Sequence, residues 1–133
     1  MPDLFCVSKN SACPVRTAIQ IQYNAAATGF DWPDIYGVLD KVREELEELE
    51  SAVREDNVVH AGEELGDLLF AAFSVARFLG VDPIESLDKT TSRFQKRLEC
   101  VRKIASQEGV SLESCSTERL DAYWERAKKL MQQ

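Results

Sequence analysis

The chain has 133 residues, a length that suits one domain around a single core. Apolar residues make up 44%, enough for a packed interior, which excludes wholesale disorder. The formal net charge is −7, from 23 acidic against 16 basic side chains, and this argues against nonspecific binding to nucleic acid or to an anionic membrane.

In chain order the punctuation marks helices, and the alternation of β-branched and polar residues that marks strands is missing. Residues 1–13 read as a loose N-terminal extension, and "MPDLFCVSKN" lacks the basic start and apolar run of a signal peptide. A first helix is expected from about Pro14 to Thr28, with Gly29 just past its end. After "GFDWP" a second helix runs from about Pro33 to Arg54. The third begins near Asp56 or Asn57, either of which can cap it, and ends before Gly80. "DPIE" opens the fourth, with Asp82 as cap, Pro83 in the first turn and Glu85 reaching back as a capping-box acid; it ends before Gly109. A last helix spans about Thr117 to Met131. The sum is an all-α helical bundle of about five helices, one domain over 14–131. "LGDLLFAAFSVARFL" in the third helix is apolar around most of its circumference, which places that helix at the centre of the bundle and against a second subunit.

The four cysteines, Cys6, Cys13, Cys100 and Cys115, form no CxxC pair, and His60 is the single histidine, so no zinc site is expected. Cys6 and Cys13 can pair in principle, but nothing indicates secretion. Reduced thiols in a cytoplasmic protein are the expectation. The longest strongly apolar run, "LLFAAFSVA", is too short to span a bilayer. His60 reads as a capping or surface residue.

"KVREELEELE", Lys41 to Glu50, sets five carboxylates in ten residues. At about 100° per residue, Ile35, Val38, Leu39, Val42, Leu46, Leu49 and Val53 form one seam of the second helix. Glu45 flanks that seam and is expected to be partly buried. Glu48 lies on the same side with Lys41 between them, Glu44 points away, and Glu47 falls on the opposite flank. In the third helix the seam is Val58, Ala61, Leu65, Leu68, Leu69, Ala72, Ala76 and Leu79, with Glu64 on its flank and Asp67 one turn on. Helices joined by a tight turn are antiparallel neighbours, so Glu45, Glu48, Glu64 and Asp67 can share a focus. Converging carboxylates repel and lose hydration, which protonation or a cation must relieve. Oxygen ligands suit Mg²⁺, with Mn²⁺ as a substitute. Periodicity alone leaves the alternative open that the acids merely fall beside two seams. In the fourth helix Leu87, Phe94, Leu98, Val101 and Ala105 form the seam, flanked by Lys89, Arg93 and Arg97 at i+4 spacing. Alone such a stripe is a solvated face; with a carboxylate cluster it suits gripping polyphosphate.

"EELEE" at Glu44–Glu48 followed by "ELGD" at Glu64–Asp67 resembles the EExxE…ExxD signature of MazG-type nucleoside triphosphate pyrophosphohydrolases, in the all-α NTP pyrophosphatase group. "AAATGFDWPDIYGVLDKVREELEEL", "EELGDLLFAAFSVARFLGVDP", "SRFQKRL" and "LDAYWERAK" resemble consecutive blocks of the same catalytic domain, from about Pro14 to Lys129. The resemblance implies Mg²⁺-dependent hydrolysis of (d)NTPs to (d)NMP and pyrophosphate by a helical core that forms a homodimer or a larger homo-oligomer. It makes Glu45, Glu48, Glu64 and Asp67 the metal ligands. Glu44 shares their motif, and Glu45 or Glu48 is the base for water; whether the α- or β-phosphorus is attacked stays open. Lys41, Arg93 and Arg97 would contact phosphates, and Trp124 resembles a substrate-site tryptophan. Phe30 and Trp32 would shape the nucleotide pocket, although packing explains both tryptophans and Phe30 as well. Thr91-Ser92-Arg93-Phe94 stands where relatives often carry Asn-x-Lys-Phe, which leaves substrate preference open, and one MazG unit is present where some relatives have two. Two other readings remain: an enzyme dedicated to dCTP, dUTP or phosphoribosyl-ATP, and a non-catalytic nucleotide-binding helical module.

Overall fold

A computed structural model describes residues 13–132. The expected loose extension therefore lies outside the described residues except for Cys13, and Cys6 lies outside them too. The described residues form α1 (Pro14–Ala27), α2 (Ile35–Arg54), α3 (Val58–Leu79), α4 (Pro83–Gln107) and α5 (Thr117–Met131), with a 3₁₀ turn at Leu112–Ser114 and no strand among them. The all-α fold is as the sequence implies. Among the described residues no helix is long and apolar enough to cross a membrane.

Local chemistry sets the helix ends. Pro14 occupies the first turn of α1, where its missing N–H costs nothing. Asp34, not Pro33, opens α2: its carboxylate accepts from the N–H groups of Tyr36 and Gly37. Asn57 caps α3 by accepting from the His60 N–H, and Gly80 closes it at φ +69, a left-handed conformation that costs glycine little. Asp82 accepts from the Ile84 N–H at the start of α4. Glu85 turns forward instead of back, with its carboxylate 2.9 Å from Lys89 Nζ. Ser116 caps α5 through the Arg119 N–H.

The chain forms two compact units, one ending at Ile84 and one beginning at Glu85. In the first, α3 packs along α2 as a helical hairpin and also meets α1. Its buried residues include Val38 and Ala52 of α2 and Ala71 and Ala76 of α3. The Gln22 side chain of α1, also buried, donates from Nε2 to the Phe70 carbonyl at 2.8 Å.

The apolar seams differ from those expected. On α3, Val58, Leu65, Leu69, Ala72 and Leu79 are exposed; the helix buries Glu64, Ala71 and Ser74, and only Ala76 of the expected seam is buried. Small and acidic side chains hold the protected side, while most of the leucine stripe lies on another side of the helix. On α2, Val38 is buried but Leu46 and Val53 are exposed.

In the second unit Val101, Ile104 and Ala105 of α4 pack with Tyr123 and Ala127 of α5. Val101 and Ala105 keep the expected seam, whereas Leu87 and Phe94 are exposed. The Tyr123 hydroxyl donates to Glu108 Oε2 at 2.6 Å and accepts from Arg119 Nε at 3.1 Å, and Arg126 Nη1 donates to Glu108 Oε1 at 2.7 Å. The Tyr123 hydrogen bond, then that of Arg126, holds the Glu108 carboxyl below its ordinary range.

Candidate active site

The α2–α3 hairpin carries its acids to one place. Side-chain oxygens of Glu45, Glu64 and Asp67 all lie within 4.8 Å of one another, and so do those of Glu44, Glu45 and Glu48. Glu45 belongs to both groups and joins them. Glu45 is only 4% exposed and Glu64 7%, while Glu44, Glu48 and Asp67 are exposed. The expected ligands thus cluster about Glu45. Glu44 points away from the apolar seam but stands i,i+3 from Lys41 and i,i+4 from Glu48, so it joins the cluster: Lys41 Nζ lies 2.6 Å from Glu45 Oε1 and 3.3 Å from Glu44 Oε1.

Charge is divided unevenly in the cluster. The Lys41 ammonium beside Glu45 outweighs its burial and holds that carboxyl below its ordinary range. Burial first, and then the neighbouring Glu48 carboxylate, push Glu64 up. His60 Nε2 stands 3.4 Å from Glu64 Oε1 and Nδ1 3.5 Å from Glu63. His60 is the surface residue at a capped helix start that the sequence implies, yet it also borders the cluster. Its i,i+4 spacing from Glu64 was the available signal.

Glu45 Oε2 and Glu64 Oε2 are buried and have no hydrogen-bond partner. A buried carboxylate oxygen without a donor is costly, and a divalent cation held there would relieve that cost. The donors near it are hard oxygens without a thiolate, and this set fits a hard divalent ion.

A cavity of about 420 Å³ opens beside the acids. Lys41, Glu45 and Asp67 line it together with Phe30, Trp32 and Phe70. A second cavity of about 420 Å³ shares Phe30, Trp32, Phe70 and Ser74 and adds Gln22, Asp31 and Arg77. Phe30 and Trp32 therefore lie beside the acids. Phe70, Ser74, Gln22, Asp31 and Arg77 were missed. Phe70 and Ser74 follow Asp67 at i+3 and i+7, a spacing that could have revealed them. A lone glutamine on α1 carries no such signal.

The remaining candidates belong to the second unit. The Arg97 guanidinium lies 5.8 Å over the Trp124 ring, and Phe94 lies 5.4 Å from the same ring. Arg93, one turn before Arg97, donates to Thr90 Oγ1 at 3.2 Å. Lys89 is paired with Glu85.

Fold and site define an all-α protein whose acidic helical hairpin is suited to holding a divalent cation beside an aromatic-lined cavity. The model of the MazG nucleotide pyrophosphohydrolase domain family matches residues 36–102, taking in nearly all of α2, all of α3 and most of α4. The chain belongs to this family. It is 43% identical over 111 residues to the nucleoside triphosphate pyrophosphohydrolase/pyrophosphatase MazG of Thermotoga maritima, covering 84% of this chain and 42% of that protein. It is 35% identical over 114 residues to a nucleoside triphosphate pyrophosphohydrolase of Escherichia coli K12, covering 84% of this chain and 43% of the relative. It thus spans less than half the length of either relative. An uncharacterized Bacillus subtilis protein, YabN, is 41% identical over 66 residues, half of this chain and 14% of its own.

Proposed function

We propose that this chain is a Mg²⁺-dependent nucleoside triphosphate pyrophosphohydrolase that converts (d)NTPs and water to (d)NMP and pyrophosphate, acting as one catalytic domain over 14–131 and as a homodimer. The observation that carries this reading is the meeting of Glu45, Glu64 and Asp67, two of them buried with an unpartnered oxygen. Family membership and the names of the relatives support the same reaction.

Glu45, Glu64 and Asp67, with Glu48 beside them, would hold the Mg²⁺. Bound there, it would neutralise charge on the phosphate oxygens and polarise the bond to be broken. Lys41 lines the cavity and meets a phosphate oxygen, while Glu44 helps to hold its ammonium in place. Glu48, exposed at the edge of the cluster, orients the attacking water and takes its proton as the oxygen bonds to phosphorus. The bond between the bridging oxygen and the attacked phosphorus breaks, and (d)NMP and pyrophosphate are the products. Phe30, Trp32 and Phe70 shelter the nucleoside. By resemblance to the family motif alone, Arg93 and Arg97 would contact phosphates and Trp124 would contact substrate.

Incubation with NTPs and Mg²⁺ should release pyrophosphate, and EDTA should stop it. Asp67→Ala, at an exposed position, should fold and lose about 100-fold or more in turnover. A folded, active and metal-independent Asp67→Ala protein would overturn the assignment. A nucleotide panel separates broad hydrolysis from an enzyme dedicated to dCTP, dUTP or phosphoribosyl-ATP.

A further inference from the structure

We propose that nucleotide affinity is set by two positioning devices that aim Trp32: the Asp31–Arg77 ion pair and the absence of a side chain at Gly37. This inference rests on the reading above, in which the cavity beside Glu45 and Asp67 takes the nucleotide.

The loop between α1 and α2 carries Phe30, which is 82% exposed, and Trp32, which is 42% exposed. Burial does not fix such side chains, yet both rings wall the two adjoining cavities. Something else must hold the loop. Arg77 of α3 donates to Asp31 through two hydrogen bonds, Nη1 to Oδ2 and Nη2 to Oδ1, each 2.7 Å. Asp31 Oδ1 also accepts from the Trp32 N–H at 2.8 Å. One carboxylate therefore grips α3 and the backbone of Trp32 together. The Arg77 guanidinium lies 4.9 Å over the Phe78 ring, and its side chain is only 10% exposed. A bidentate pair of this kind fixes direction as well as distance.

The second device is on α2. A Cβ built at Gly37 would lie 3.3 Å from Trp32 Cε3, so the indole rests against the helix where a side chain is missing. Glycine inside a helix costs about 0.5–1 kcal/mol relative to alanine. Helix stability does not explain Gly37; a seat for Trp32 does. The acids lie on the α2–α3 hairpin and do not need the loop, so moving Trp32 should weaken binding and spare the chemical step.

The test uses the full chain and the α,β-imido analogues of dATP, dGTP, dCTP and dUTP with Mg²⁺. Dissociation constants come from calorimetry, thermal unfolding is followed in parallel, and KM and kcat come from pyrophosphate release. Gly37→Ala should unfold at the wild-type temperature or higher and bind its preferred analogue about tenfold more weakly. KM should rise to match, with kcat within about threefold. Asp31→Asn should shift affinity in the same direction, and Gly37→Ala should add nothing in a Trp32→Ala background. A folded Gly37→Ala protein with wild-type affinity and KM would overturn the proposal, as would an equal loss in the Trp32→Ala background or a wild-type chain that binds none of the analogues. Binding that follows this pattern without pyrophosphate release would sink the hydrolase reading and keep this one.

Discussion

Lys41 and Glu45 stand one turn apart on α2, and their 2.6 Å ion pair favours the charged form of Glu45. Glu45 is buried, and burial by itself favours the neutral acid. The ammonium reverses that and lowers its pKa. Glu64 has no lysine beside it, and burial, then the Glu48 carboxylate, raise it against the weaker pull of His60. The pair adds little to stability, because the Lys41 side chain is about one-third exposed and solvent screens it. Its weight falls on the charge state of the site. Replacing Lys41 by Met removes the main influence lowering Glu45 and leaves the one that raises it. Glu45 should then take up a proton at higher pH, and the acidic limb of the kcat/KM profile should move to higher pH. A pH–rate profile checks this; an acidic limb that stays in place would count against the role given to Lys41.

At the scale of the helix, α3 divides its work between two sides. Glu64, Ala71 and Ser74 are buried, whereas Leu65, Leu69, Ala72 and Leu79 remain exposed in a single chain. A stripe of that composition is costly in water, and a second copy would cover it. Leu69→Glu should therefore convert a wild-type dimer to monomer in analytical ultracentrifugation with helix content unchanged, since Leu69 is 50% exposed. A wild type that sediments as a monomer, or a variant that stays dimeric, would contradict the proposed homodimer. Helix ends were legible because caps are local: Pro14, Asn57, Gly80 and Asp82 act within a few residues of where they stand. The buried side of α3 was not, since periodicity gives angles around a helix but not which side a neighbour occupies. The most apolar stripe therefore read as the seam. Glu44 points away from the apolar seam as rotation implies, yet its i,i+3 and i,i+4 spacing from Lys41 and Glu48 sets it at the edge of the cluster.

For the whole chain, the acidic centre was readable because Glu45, Glu64 and Asp67 lie on two helices joined by a short turn, which limits how they can meet. The Asp31–Arg77 pair was not, with partners 46 residues apart and no repeated spacing to betray them. The seat of Trp32 on Gly37 also depends on where a loop falls, which composition does not encode. Along the chain, α4 starts within the first unit and continues into the second. The central claim is that two helices trap a divalent ion between their carboxylates. Titrating Mn²⁺ into the wild type and Asp67→Ala, with free ion read by electron paramagnetic resonance, tests it without relying on turnover. The wild type should bind Mn²⁺ and the folded variant at least about tenfold more weakly; equal binding by both would contradict the account.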